Sequence, residues 1–260
     1  MRLLITNDDG VRSPGLHALA IALHEAGHEV LVVAPSEERS GAAASIGYIA
    51  SGVEFDIDAH PIPDADGIPT FALDGPPALC VMLAMMEVFG ARPELVVSGA
   101  NLGANCGRVV LSSGTVGAGL LAQSFGLSAL AISQADTGLD MCWETAGAVA
   151  VAAVDWLAGA PRKTLLNVNV PNLPLADVRG ARWARLAAFG ATSTSIRGAV
   201  PGTVRVHVSP REVTLAPDTD THLLDEGYVT VTGLLGIRAE TEESAAAPPA
   251  IAAALGLPAD

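Results

Sequence analysis

Cysteine is scarce in this chain: Cys80, Cys106 and Cys142 are the only three in 260 residues, an odd number with no CxxC pair. That argues against a disulfide scaffold and a cysteine-based structural zinc site, and it fits free thiols in a reducing cytoplasm. Positive charge is scarce too. Lys and Arg number 14 against 28 Asp and Glu, for a net charge of −14, so most of the surface would repel duplex DNA or long RNA. A small phosphorylated ligand remains compatible wherever cations and backbone amides focus a local positive field. Aromatic residues make up 4% of the chain. No apolar run is long enough to cross a bilayer, and the most apolar stretches, such as "AGAVAVAAVDWLAGA", are Ala-rich, carry a charge and read as buried helix. The chain begins directly on a strand with no cationic leader ahead of an apolar core, which reads as a cytoplasmic protein without a secretion signal.

What remains is abundant core. The chain is 50% hydrophobic and 16% charged, the balance of a packed globular protein of one domain, or one domain with a smaller appendage. "RLLIT" (2–6) reads as a buried strand, and Ser13-Pro14 as a helix start with serine at the N-cap and proline at the first helical position. Leu16, Leu19, Ala20 and Leu23 repeat at helical spacing. Gly27 ends that helix and "HEVLVVAP" is the next strand, which completes a right-handed βαβ unit with parallel strands. The acidic, Pro-bent stretch "SGVEFDIDAHPIPDADGIPTFALDGPP" reads as edge strands and loop. Strands "ELVVS", "LSALAIS" and "KTLLNVNV" then alternate with helices "PPALCVMLAMMEVFG", "SSGTVGAGLLAQSFG" and "TAGAVAVAAVDWLAGA". From about residue 178 the pattern turns β-rich and irregular, with "ARWARLAAFG", "TVRVHVS", "EVTLAP" and "GYVTVTGL" as strands, and the Pro-broken tail carries at most one short helix.

In a parallel α/β sheet, ligands bind beyond the carboxyl ends of the strands. Four loops leave such ends: Asn7–Gly10, Pro35–Gly41, Ser98–Gly107 and the loop after Ser133. Topology therefore gathers Asp8, Asp9, Ser40, Asn101 and Asn105 on one rim. Two adjacent like charges gain nothing as a simple turn, and carboxylate, hydroxyl and amide oxygens together suit a hard cation, Mg²⁺ or Mn²⁺. Ser113, Gly114 and Thr115 stand at a helix start, where free N–H groups and the dipole favour an anion. A metal beside an anion cradle suggests phosphoryl chemistry. Taken singly, each element has a plainer reading as turn, cap or solvated loop. The histidines are scattered, with His17 and His24 off the apolar face of their helix and read as surface residues, and no histidine adjoins Cys106 to activate its thiol.

"ITNDDG", "APSEERSG", "VVSGANLGANCG", "SGTVGAG", "LNVNVPNLP" and "EGYVTVTGL", in this order along nearly the whole chain, resemble the SurE (stationary-phase survival protein) 5′-nucleotidases. The resemblance implies a Rossmann-like, three-layer α/β core with a mostly parallel sheet over residues 1–177 and a β-rich extension over 178–260 that builds homodimers or homotetramers. It implies a divalent-metal-dependent phosphatase that hydrolyses nucleoside 5′-monophosphates, with 3′-nucleotides or short polyphosphate as further substrates and one Mg²⁺ or Mn²⁺ per subunit. Carried over by motif, the metal ligands are Asp8, Asp9, Ser40 and Asn101, while Asn105, Ser113, Gly114 and Thr115 lie against the phosphate. The catalytic candidates are Asp8 and Asp9, one of which would help deprotonate the attacking water; the sequence does not say which. The chain departs from the family at Ala42–Ala44, Leu79, Arg108 and Ser112, the last standing where a tyrosine is common, and these departures bear on base recognition. Two other readings stay open here: a non-catalytic nucleotide-binding module, and a sugar-nucleotide-dependent transferase, which would need a second nucleotide-binding domain.

Overall fold

Strand β1 (Arg2–Thr6) buries Leu3 and Ile5 on one face and Leu4 on the other, so both faces must be covered. The structure, a computed structural model, describes residues 1–63, 65–188, 192–200, 203–210, 214–237 and 254. Helix α1 (Pro14–Glu25) starts at Pro14 and buries Leu16, Leu19, Ala20 and Leu23, although the Ser13 hydroxyl makes no capping bond. Truncating one of these buried leucines, Leu19 for example, to alanine would cost about 2–5 kcal/mol through lost burial and the cavity left behind. Strand β2 (Glu29–Pro35) pairs parallel with β1, Leu3 opposite Val30. Strand β3 (Ile57–Ala59) is exposed and runs antiparallel to β4 (Thr70–Leu73), the edge expected of that acidic, Pro-bent stretch. Helix α2 (Pro77–Met85) is buried on nearly every side.

Strand β5 (Leu95–Leu102) leads through a loop and a 3₁₀ turn (Gly107–Leu111) into helix α3 (Gly114–Ser124). Strand β6 (Ser128–Gln134), helix α4 (Trp143–Gly159) and strand β7 (Leu165–Val170) follow. The last part contributes β8 (Ala181–Trp183), β9 (Thr192–Val200), β10 (Thr203–Pro210), helix α5 (Asp220–Asp225) and β11 (Val229–Leu234).

The nine-stranded sheet runs β3-β4-β2-β1-β5-β6-β7-β11-β8, parallel from β4 to β7, with β11 antiparallel to β7. One core cluster joins the residues of α1 and α4 to the sheet, and a second joins those of α2 and α3 to its other face. This is the expected three-layer α/β arrangement. The chain moves from β1 to β2 on one side and later returns to β5 on the other. The crevice beyond the carboxyl ends of β1 and β5 is therefore the topological switch point.

The C-terminal part differs in detail from its sequence reading. "EVTLAP" is no strand where it is described: residues 214–216 have no regular structure, and 211–213 lie outside the described residues. Strand β9 and helix α5 were not expected, and among the described residues β9 pairs only with β10, in a separate ribbon. The tail, with its one expected helix, lies outside the described residues apart from residue 254. Among the described residues there is no second α/β sheet of the kind a transferase reading requires.

Candidate active site

The loop after β1 is closed by its own first residue. Buried Asn7 donates from Nδ2 to the Gly10 carbonyl at 3.1 Å and accepts the Gly10 N–H on Oδ1 at 3.2 Å. Gly10 has φ +98, left-handed backbone that a β-carbon would strain. The turn leaves Asp8 and Asp9 projecting from the end of β1 at the switch point.

Each aspartate binds a different element. Asp8 accepts the Gly114 N–H on Oδ2 at 3.0 Å and the Thr115 hydroxyl on Oδ1 at 2.6 Å. A β-carbon at Gly114 would come within 2.8 Å of Asp8 Oδ2, so glycine is what lets α3 begin this close to a carboxylate. Ser113 caps the helix by accepting the Val116 N–H at 3.1 Å. Two donors of the α3 start that were read as an anion cradle are thus engaged with Asp8, and the positive helix end supports that carboxylate. Asp9 accepts the Leu102 N–H on Oδ2 at 3.0 Å, which ties the β1 loop to the end of β5.

The other two expected ligands flank this pair. The Arg39 N–H donates to the Asp8 carbonyl at 2.7 Å and draws in the loop bearing Ser40, whose exposed hydroxyl donates to Glu38 at 2.8 Å. Asn101 sits at the end of β5, one residue before Leu102. Its Nδ2 donates to the carbonyls of Gly103 at 2.6 Å and Leu102 at 3.3 Å. Among the described residues nothing donates to its Oδ1, so that oxygen is free to act as a ligand.

Burial pushes the Asp8 carboxyl above its ordinary range, against the hydrogen bonds from Thr115 and Gly114. Burial pushes Asp9 up to about 6, opposed by the Leu102 N–H and reinforced by the charges of Asp8 and Glu38. Among the described residues neither carboxylate has a salt-bridge partner. Two desolvated acids side by side are hard oxygen donors of the kind a divalent cation takes. No three His, Cys, Asp or Glu side chains among the described residues group as a metal site, so a cation here would need oxygens other than carboxylates to complete its shell.

Asn105 is buried on the same rim and held by residues that the sequence reading did not single out. Its N–H donates to Asn169 Oδ1 at 2.8 Å, its carbonyl accepts from Asn167 Nδ2 at 2.9 Å, and its Nδ2 donates to Ser133 Oγ at 2.9 Å. Alternate asparagines on β7, buried in an otherwise aliphatic strand, were the available signal. Asp220, which binds the Gly107 N–H at 2.7 Å, had none. Cys106 is buried, and burial with the nearby Asp220 charge holds its thiol protonated, well above the ordinary range. His24 is exposed as expected, whereas His17 is half-buried with Nε2 2.8 Å from the Val11 carbonyl. Of the family departures, Leu79 lies in the core, while Arg108 and Ser112 are exposed on the turn before α3.

The family model described as Survival protein SurE matches residues 3–192. The chain is 39% identical over 240 residues to a protein of Cronobacter sakazakii named 5′/3′-nucleotidase SurE, and the match covers 90% of each. It is 40% identical over 239 residues to the protein of the same name from Salmonella newport, again over 90% of each. In three dimensions it is similar to the crystal structure of the Sure protein from Aquifex aeolicus, with a TM-score of 0.78 and 27% identity over 96% of this chain and 99% of that one. A family match over most of the length, ordered motifs and a shared fold lead to one conclusion: the chain belongs to the SurE family.

Proposed function

We propose that this chain is a nucleotidase, a divalent-metal-dependent phosphomonoester hydrolase acting on nucleoside 5′-monophosphates, with 3′-nucleotides and short polyphosphate as further substrates. The observation that carries the reading is the adjacency of Asp8 and Asp9 at the switch point, both desolvated and, among the described residues, without a protein cation, one against the α3 start and the other against the end of β5. The relatives named 5′/3′-nucleotidase SurE support it.

Asp8, Asp9, Ser40 and Asn101 would hold Mg²⁺ or Mn²⁺, and when bound the cation supplies Lewis-acid neutralisation of the phosphoryl oxygens and acidifies water. Both oxygens of Asp8 already accept hydrogen bonds, whereas among the described residues Asp9 accepts one on Oδ2 alone. Asp9 therefore takes the proton from the attacking water as general base, and Asp8 anchors the site. Asn105 and the Ser113 hydroxyl would orient the phosphate, while Gly114 and Thr115 act through Asp8, to which they donate. The chain works in the cytoplasm as a homodimer or homotetramer assembled through residues 178–260. A screen of nucleoside monophosphates and p-nitrophenyl phosphate with Mg²⁺ or Mn²⁺ tests the reading: metal-dependent release of phosphate is expected, and nucleotide binding without turnover would make the chain a binding module instead.

A further inference from the structure

The loop that carries Asn105 is held at its far end by a side chain from more than a hundred residues later. The Gly107 N–H donates to Asp220 Oδ2 at 2.7 Å. Asp220 opens α5 and is 0% exposed, and its Oδ1 accepts the Ala187 N–H at 2.9 Å and the Thr221 N–H at 2.8 Å. Among the described residues no cation pairs with it. A buried carboxylate is costly unless its oxygens are filled. Here the filling donors come from three separate stretches, so the group knots the Asn105 loop to the two segments that flank the β9–β10 ribbon. Capping α5 alone would not need an oxygen directed at Gly107. Asn105 itself is held from the sheet by Asn169, Asn167 and Ser133, and Asp220 fixes the chain two residues further on, where the sheet makes no such bond to Gly107 among the described residues.

We infer that Asp220 is a positioning residue: by fixing Gly107 it steadies the chain just beyond Asn105 and so helps hold Asn105 against the phosphoryl group. The inference rests on the phosphatase reading above. It gives the part of the chain beyond residue 178 a share in catalysis, apart from any role in assembly.

Asp220→Asn keeps shape and volume but replaces one acceptor by an NH₂. Whichever way the amide turns, a donor then faces either the Gly107 N–H or the N–H groups of Ala187 and Thr221. Asp8 and Asp9 are untouched. In the full-length Mn²⁺-loaded chain, the inhibition constant for inorganic phosphate should rise about 10- to 100-fold and kcat should fall on the same scale, while Mn²⁺ affinity stays within about twofold of the unaltered chain. A lower kcat with unchanged phosphate inhibition and KM would mean only a smaller folded fraction, and it overturns the inference, as would unchanged kinetics. Should the variant not fold, hydrogen exchange in the unaltered chain decides. The Gly107 amide should be protected like the β5 amides, and exchange as fast as in the exposed 47–54 loop overturns the inference. An unaltered chain without metal-dependent phosphatase activity refutes the underlying reading; an active one matched by Asp220→Asn refutes the positioning role alone.

Discussion

Asp9 and Leu102 meet across the sheet: the carboxylate at the end of β1 accepts the backbone N–H at the end of β5 at 3.0 Å. That bond places the second aspartate at the switch point beside Asn101. It also uses one oxygen and, among the described residues, leaves the other without a protein donor.

Asp9→Asn should therefore remove most of the activity, on the order of 10²- to 10⁴-fold if the residue serves as general base. The fold should survive, because the amide retains the shape and removes a desolvated charge beside Asp8. The melting temperature without metal should hold or rise. Full activity in this variant, with unaltered Mn²⁺ dependence, would discard the proposed site.

The same residue sets a pH dependence whose sign can be worked out. The carboxyl of Asp9 sits at about 6 in the folded chain against an ordinary 3.8. A raised acid holds its proton more tightly when folded, so stability is present below the unfolded value and declines as pH rises through the folded one. The decline is at most about 1.4 kcal/mol for each pH unit between those two values, and the partial exposure of Asp9 reduces it. In metal-free protein, the melting temperature of Asp9→Asn minus that of the unaltered chain should grow between about pH 4 and pH 6. A difference that stays flat over this window contradicts the assignment.

Much of this site can be read in the sequence, because its parts sit where strands give way to helices or loops. Asp8 and Asp9 follow an aliphatic strand, and Ser113-Gly114-Thr115 open a helix. The use of the α3 start could not be foreseen: whether its donors face a ligand or Asp8 depends on how closely α3 approaches β1, and Gly114 sets that approach. Asp220 was hidden for a related reason, since "TDTH" gains meaning only when folding brings it to Gly107. The C-terminal strands were harder still. "EVTLAP" has strand-like alternation but no sheet partner where it is described, whereas "GYVTVTGL" finds β7, with Thr230 opposite Asn169. Strand propensity acts only where an edge is available.

Assembly should depend on the β9–β10 ribbon. Among the described residues these strands pair only with each other, and they expose Ile196, Val204 and Val206, the kind of open edge that recruits a partner. Light scattering on the full chain should give a dimer or tetramer, and replacing residues 192–210 by a short Gly-Ser linker should lower the mass. Deleting everything after 178 would be a poor test because it strips β11 from β7. A monomeric mass for the full chain excludes this assembly.

Substrate selection should be broad. The metal ligands and the α3 start address phosphate, common to every monoester, so discrimination must come from base and ribose. Only 4% of residues are aromatic, and exposed Ser112 stands where a stacking ring would be expected. One missing ring contact is worth about 1 kcal/mol, several-fold in preference. Purine monophosphates should be favoured weakly, with measurable cleavage of aryl phosphates. A preference above about a thousandfold for one nucleotide, roughly 4 kcal/mol, would reveal a base-reading element beyond those described.

The most direct test of the whole account is phosphate release from a nucleoside 5′-monophosphate by the EDTA-stripped chain as Mn²⁺ is restored. No release is expected in EDTA, with saturable recovery at one bound cation per subunit, and recovery at least a hundredfold smaller in Asp9→Asn. Release that is equally fast in EDTA, or none with any divalent metal, would contradict it.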